Sequence, residues 1–317
     1  MLPLAGGEPL LVQTVRRLGG LIDPPHILII TGQRLVERTR SLLPDVPAQN
    51  VLAEPRAAST GPALAWATAV AAGQDQGASV LSLHADWFVG DDEAFRVTAR
   101  EALEAAERHD VLLTVGVVPT RVDVAYGYIV PGEPLGGNAR RVARFVEKPD
   151  ATRAAELIQG GALWNSGLFA WTAARFFAET HAVAKEIAPH LPALRRGDVA
   201  AFFRDVTPIA VDVSHFERSK RVAVVAGRFP WDDVGTWTAL ARVRPRDHQG
   251  NVVVGEVVAR EAQNCVVWSA EGPVVVDGVN DLVVVRAHGV TLITTTDRAQ
   301  HLKTLLEALP AYLRELT

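Results

Sequence analysis

The chain has a single cysteine, Cys265, among 317 residues. One thiol can form neither an intramolecular disulfide framework nor a Cys-rich metal site. Lysine is nearly as scarce: of 32 basic residues only Lys148, Lys185, Lys220 and Lys303 are lysines. Aromatic residues make up 6% of the chain, yet tryptophan outnumbers tyrosine seven to three. Positive charge is not in excess, since 32 Lys and Arg face 36 Asp and Glu for a formal net charge of -4. That argues against a strongly basic nucleic-acid binder. No apolar run approaches the ~20 residues that span a bilayer. Met1-Leu-Pro-Leu-Ala-Gly-Gly-Glu lacks the positive stretch and apolar segment of a signal peptide. The expectation is a cytoplasmic protein in a reducing setting, with neither nucleic acid nor membrane as partner. No internal repeat, Gly-x-Ser-x-Gly elbow or His-Glu-x-x-His helix occurs, and no strand precedes Gly6-Gly7 to make it a phosphate loop.

What is present is an alternation. Short apolar runs at 26–31, 50–53, 79–83 and 111–118 are separated by helical spacings at 33–43, 62–72 and 91–108. Strands alternating with helices point to a parallel, doubly wound sheet, in which ligands bind beyond the carboxyl ends of the strands. Residues 126–171 read as strands and turns around one helix at 151–159, followed by helical stretches near 173–187 and 199–203. From about Gly250 the chain becomes short Val-rich strands between Gly and Asn turns, closed by a helix at 298–313. The expected domains are an α/β part, 1–247, and a small β-rich tail, 248–317, which offers a surface for a homodimer.

Several polar residues stand at strand ends or turns. Asp86 follows the strand run of Leu83 and could hold a hard cation such as Mg²⁺, or could serve as a turn or helix-capping acid. Asp233 lies in Phe229-Pro-Trp-Asp-Asp-Val-Gly-Thr-Trp237, where adjacent acids repel and need a cation or exposure. On spacing alone, a helix-start acid is the favoured role there. Glu147-Lys148-Pro149 closes a strand, and a Glu–Lys pair can hold sugar hydroxyls and a phosphate or be a surface ion pair. Asn165, in Trp164-Asn-Ser-Gly167, offers both donor and acceptor, while Gly127, between Tyr126 and Tyr128, permits close backbone approach. Glu54-Pro-Arg-Ala-Ala-Ser-Thr60 joins a strand to a helix, so Thr60 and the helix amides could hold phosphate or a base edge, or simply cap the helix.

Taken in order, Leu2-Pro-Leu, Glu54-Pro, Thr60, Ala85-Asp86, Tyr126-Gly-Tyr-Ile129, Phe145-Val-Glu-Lys-Pro149, Trp164-Asn-Ser-Gly167 and Trp231-Asp-Asp-Val-Gly-Thr-Trp237 resemble the mannose-1-phosphate guanylyltransferases. The resemblance implies an α/β fold: a Rossmann-like, doubly wound mixed sheet followed by a small left-handed β-helix-like domain. It implies transfer of GMP from GTP to mannose 1-phosphate, giving GDP-mannose and pyrophosphate. Asp86 and Asp233 would bind Mg²⁺, and Lys148 would contact the sugar phosphate. Glu147, Asn165 and Gly127 would fix the mannose, and Glu54 and Thr60 would lie along the guanine and ribose.

The family opens with a strand and a loop, Gly-Gly-x-Gly-x-Arg, followed by Pro-Lys before Phe-Leu-Pro-Leu. This chain starts at the equivalent of that Leu-Pro-Leu, so the resemblance implies an N-terminal truncation that leaves the neighbours of an inner strand without a ladder partner. A start upstream of Met1 and a catalytically silent remnant that keeps the sugar-nucleotide pocket are the two explanations. Trp87 stands where the family usually has His, Ala58 where it has Arg and Gly61 where it has Ala. Arg56 is the nearby candidate to compensate. Ala210 and Val213 depart near Asp212 and Glu217, so another sugar 1-phosphate is the alternative substrate.

Overall fold

The computed structural model describes residues 7–314. They divide into two compact units, and the chain passes between them at residues 14/15, 84/85, 90/91 and 229/230. The strands are β1 Ile29–Gly32, β2 Val51–Glu54, β3 Ser79–Ser82, β4 Phe88–Val89, β5 Leu112–Val117, β6 Tyr128–Gly136, β7 Ala139–Val146, β8 Leu163–Thr172, β9 Val222–Gly227 and β10 Trp231–Asp232, then β11 Val252–Val254, β12 Val257–Arg260, β13 Val266–Ser269, β14 Val274–Asp277, β15 Leu282–Ala287 and β16 Val290–Thr295. The helices used below are α1 Leu10–Arg17, α2 Val36–Leu42, α3 Thr60–Gln74, α4 Asp92–His109, α5 Ala151–Gln159 and α6 Ala173–Val183. No helix among the described residues is long and apolar enough to cross a membrane.

The larger unit holds 15–84 and 91–229. Its main sheet has the order β3-β8-β5-β9-β7-β6, with β5 and β9 parallel and the remaining neighbours antiparallel. The sheet is mixed, as the family resemblance implies, where the strand and helix alternation alone points to a parallel one. The reason is local: β6 and β7 are joined by a tight turn, which only antiparallel strands allow. β1 and β2 form a separate parallel pair, and among the described residues β3 pairs with β8 alone.

Every residue of β5 is buried, and its near-continuous apolar run, broken by the polar Thr114, suits a strand covered on both faces. One side is closed by a core that includes Trp66, Phe169, Trp171, Phe176, Phe202, Phe203 and Phe216. Within it the Trp171 indole N–H reaches Thr68 Oγ1 at 3.2 Å. α4 lies over the sheet and is started by Asp91, whose carboxylate accepts the Glu93 and Ala94 amides at 3.0 and 2.9 Å.

The ladder between β5 and β8 slips at one place. Val115 pairs with Leu168 but the next residue, Gly116, pairs with Asn165. Ser166 and Gly167 are therefore extra residues on β8, a bulge of the kind that re-aims a neighbouring side chain. Gly167 takes φ +76°, and Ser166 Oγ donates to the Val115 carbonyl at 2.6 Å.

The smaller unit holds 7–14, 85–90 and 230–314 among the described residues. β11, β13 and β15 stack in parallel register, with Val252, Val266 and Val283 in one column, and β16 returns antiparallel to β15. β12 and β14 form a second parallel pair. The residues of β12 alternate between half-buried and exposed, so it blends into the strand before it in the sequence pattern. Gly255 turns the chain at φ +88°, where a Cβ would lie 2.0 Å from the Ser269 carbonyl oxygen. Asn251, 1% exposed, ties the coils together: its amide donates to the Ala262 carbonyl at 2.9 Å and its oxygen accepts the Cys265 amide at 2.9 Å.

Asn251→Ala would leave those two backbone groups buried and unsatisfied. It is expected to lower unfolding free energy by about 2–4 kcal/mol, read from chemical denaturation at pH 7.

Candidate active site

The bulge sets the first part of the site. Asn165 emerges from it with its backbone amide donating to the Gly127 carbonyl at 2.8 Å. Gly127 in turn lies against Glu147, so close that a Cβ would sit 2.6 Å from Glu147 Oε2. A side chain here would push the Glu147 carboxylate aside. Three of the residues singled out from sequence, Gly127, Glu147 and Asn165, are thereby brought into one cluster at the ends of β6, β7 and β8. Lys148 joins them through an ion pair, Nζ to Glu147 Oε1 at 3.0 Å. Both partners are about half exposed or more, so the pair contributes only ~0–1 kcal/mol to stability. Lys148 also takes φ +43°, an unfavourable conformation for a residue with a side chain.

Asn165 does not offer what its side chain alone suggests. Its Oδ1 already receives the Thr114 hydroxyl and the Gly167 amide, both at 3.3 Å, which fills two lone pairs. Its Nδ2 donates to Asp212 Oδ1 at 2.7 Å. What it retains for a ligand is one N–H. The acceptors of this cluster are carboxylates instead.

Asp212 and Glu217 fit the family resemblance in 209–217, but the pairing of Asp212 with Asn165 comes from the fold. Asp212 opens a π-helical turn, Asp212–Phe216, a rare geometry often found at functional sites. Burial pushes its carboxyl above the usual range; the Asn165 hydrogen bond and nearby His84 oppose that, and Glu147 adds to it. Glu217 is pushed up as well, by burial first and then by Glu147 and Asp212. The cluster thus gathers Glu147, Asp212, Glu217 and His84 from distant parts of the sequence.

Glu54 and Thr60 belong to a second group in the same unit. Glu54 ends β2, and burial raises its pKa, offset in part by the Ala58 amide and Arg56. Among the described residues its Oε1 is buried with no hydrogen-bond partner. Thr60 opens α3, with Ser59 before it at φ +66°. Thr60 Oγ1 accepts the Val211 amide at 2.9 Å, and the Gly61 amide donates to the Ile209 carbonyl at 2.9 Å. Arg56, the candidate to compensate for Ala58, donates instead to the carbonyls of Phe203 and Val206. Its guanidinium pins backbone and is committed there.

The smaller unit carries Asp86 and Asp233. β4 and β10 form an antiparallel ribbon with Trp231 opposite Val89 and Asp232 opposite Phe88. Asp233 follows Asp232 directly and Asp86 precedes Phe88 by two residues, so both acids leave the same end of the ribbon. Neither acid caps a helix, although Asp86 lies in a bend. The cap of α4 is Asp91, not Asp86. The next helical turn after Asp233, Trp237–Ala239, is preceded by Thr236, while Asp233 Oδ1 accepts the Gly235 amide at 3.3 Å within a turn. The adjacent acids have different fates: Asp232, 4% exposed, is held by Arg242 at 2.6 Å, whereas Asp233 is half-buried. Among the described residues no group of three or more His, Cys, Asp or Glu is arranged to hold a metal.

Known proteins share this chain's two-part organisation. Residues 1–250 match the family described as nucleotidyl transferase, and residues 255–309 match the MannoseP isomerase/GMP-like beta-helix domain. A mannose-1-phosphate guanylyltransferase of Klebsiella pneumoniae is 33% identical over 327 residues, covering 97% of this chain and 68% of that protein. The chain belongs to the mannose-1-phosphate guanylyltransferase family of nucleotidyl transferases. The alginate biosynthesis protein AlgA of Pseudomonas putida is also 33% identical, covering 97% of this chain and 66% of that protein. The chain thus spans about two thirds of these relatives' length. Among solved structures, a protein from Thermus thermophilus named mannose-1-phosphate geranyltransferase aligns with a TM-score of 0.83 at 34% identity, covering 95% of this chain and 89% of that one.

For this guanylyltransferase-family chain the π-helical turn gives a pH signature. His215, fully buried, lies between Ser214 Oγ and Thr180 Oγ1, each at 2.8 Å, and stacks on Phe176. Burial lowers its pKa from 6.5 to about 4. The unfolded chain therefore binds the extra proton between those values. Stability is expected to be full above about pH 6.5 and to fall by about 3 kcal/mol as pH drops to 4, with no further loss from this group below. Denaturation curves across that range check it, and His215→Gln is expected to flatten this component. Gly127→Ala is expected to displace the Glu147 carboxylate while leaving the melting temperature nearly unchanged, checked by a crystal structure of the variant and its thermal unfolding curve.

Proposed function

We propose that this chain transfers GMP from GTP to mannose 1-phosphate, forming GDP-mannose and releasing pyrophosphate. The observation that carries this reading is the convergence of Gly127, Glu147 and Asn165, with Lys148 beside them. That set combines hydroxyl acceptors, one amide donor and one cation, the chemistry a phosphorylated hexose requires. A phosphate oxygen of the sugar attacks the α-phosphorus of GTP as the bond to the β-phosphate breaks. No general base is needed, because the attacking monoester is largely ionised, its second pKa being about 6. Lys148 pairs with the sugar phosphate, and Glu147 accepts from sugar hydroxyls. On the nucleotide side, the unpartnered Glu54 Oε1 is an acceptor suited to the N–H edge of guanine, with Thr60 near the ribose. Catalysis in this reading is positioning plus electrostatics.

Asp86 and Asp233 fit Mg²⁺: two carboxylates at one ribbon end suit a hard cation that fills the rest of its coordination sphere with water and phosphate oxygens. When bound, the ion supplies charge neutralisation of the triphosphate. Asp232 is excluded from this pair by its bond to Arg242.

In sequence the division of this reading is 1–247 for nucleotidyl transfer and 248–317 for the tail, although residues 7–14, 85–90 and 230–247 belong to the tail's compact unit. We place the enzyme in the cytoplasm, where its phosphorylated substrates are made. A homodimer through the tail is part of the same reading, supported by exposed Val258 and Val275 facing each other across β12 and β14.

A coupled pyrophosphate assay with GTP, dTTP and UTP against mannose and glucose 1-phosphates tests the proposal. Turnover with GTP and mannose 1-phosphate is expected. Turnover with dTTP or UTP alone would replace it by another nucleotidyl transfer, and GDP-mannose binding without turnover would replace it by a silent binding protein. Asp233→Asn is expected to lower Mg²⁺-dependent turnover by about 100-fold or more with little change in melting temperature. Asp232→Asn is expected to do the reverse, lowering melting temperature first.

A further inference from the structure

We propose that Asp212 is a positioning residue for sugar recognition: its carboxylate holds the Asn165 amide so that a single N–H faces the ligand. This rests on the reading of Gly127, Glu147 and Asn165 as the hexose subsite.

An asparagine amide can present either its oxygen or its nitrogen, and a carboxylate can only accept. Asp212 Oδ1, 2.7 Å from Nδ2, therefore selects one of the two orientations. The Thr114 hydroxyl and Gly167 amide at Oδ1 agree with that choice. Without Asp212 the amide nitrogen loses its buried acceptor, and rotation would turn the oxygen towards the ligand in place of a donor.

Asp212 itself is held from both sides. Before it, Val211 N–H donates to Thr60 Oγ1, and Ile209 receives Gly61 N–H and donates to the Ala58 carbonyl. After it, Phe216 stacks on Phe169 with ring centroids 4.1 Å apart. The four residues 209–212 thus join the loop that carries Glu54 and Thr60 to the amide that faces the sugar. The carboxylate keeps this place although Glu147 and Glu217 oppose its charge.

The test uses the full chain in the pyrophosphate assay at saturating GTP. Asp212→Ala is expected to raise KM for mannose 1-phosphate about tenfold or more while KM for GTP stays within about twofold. Asp212→Asn, whose amide oxygen can still accept from Nδ2, is expected to recover most of that loss. Asp212→Ala combined with Asn165→Ala is expected to be little worse than Asn165→Ala alone. If the alanine variant misfolds, Asp212→Ser carries the same expectations. The proposal is overturned by an unchanged sugar KM in Asp212→Ala, by additive losses in the double variant, or by GTP and sugar constants rising together with a lower melting temperature. Failure of the underlying reading looks different: Asn165→Ala leaves the sugar KM untouched, or the wild type turns over no sugar 1-phosphate.

Discussion

The two extra residues on β8 are the constraint from which the site follows. The strand leaves register with β5 only because Gly167 accepts a left-handed backbone and Ser166 bonds back to Val115. Gly116 completes the arrangement on the facing strand, where any side chain would overlap Leu163 at 2.7 Å. Once the slip is made, Asn165 meets Gly127, and Gly127 leaves room for Glu147. The chemistry of the cluster is thus a consequence of backbone geometry fixed within a buried sheet, where it cannot drift with solvent.

Much of this was legible in the chain itself. The Asn-Ser-Gly turn between tryptophans, the glycine between tyrosines and the Glu-Lys-Pro strand end are local signals, and each sits where its residue types demand. The strand and helix alternation was legible for the same reason, because buried strands and amphipathic helices carry their own periods. What could not be read was long-range. Asp212 lies 47 residues from Asn165 in sequence, and nothing in Val-Asp-Val announces its partner. Nor does the sequence tell that Arg56 is committed to two carbonyls, or that Asn165 has its oxygen filled. The antiparallel pairings were legible only through the family resemblance, because the alternation pattern does not tell which strand a hairpin returns to.

Charge is distributed by burial and pairing more than by composition. Asp232 and Asp233 are chemically identical neighbours, yet one is buried and held by Arg242 while the other is half-buried and accepts the Gly235 amide. The same division holds between Arg56, fastened to carbonyl oxygens, and Lys148, more than half exposed.

The four crossings of the chain between its units mean that neither unit is a continuous piece of polypeptide. The short insert 85–90 that carries Asp86, and the segment after Pro230 that carries Asp233, belong with the coils of the tail. Val234, Ala239 and Leu240 share one core with Val252, Val266, Trp268 and Val283. Cutting the gene near residue 247 would therefore not release a free-standing catalytic fragment. It would strip the ribbon's own apolar support and leave Asp233 at the frayed end of a strand. The tail, whatever else it does, is scaffolding for a carboxylate that precedes it in sequence.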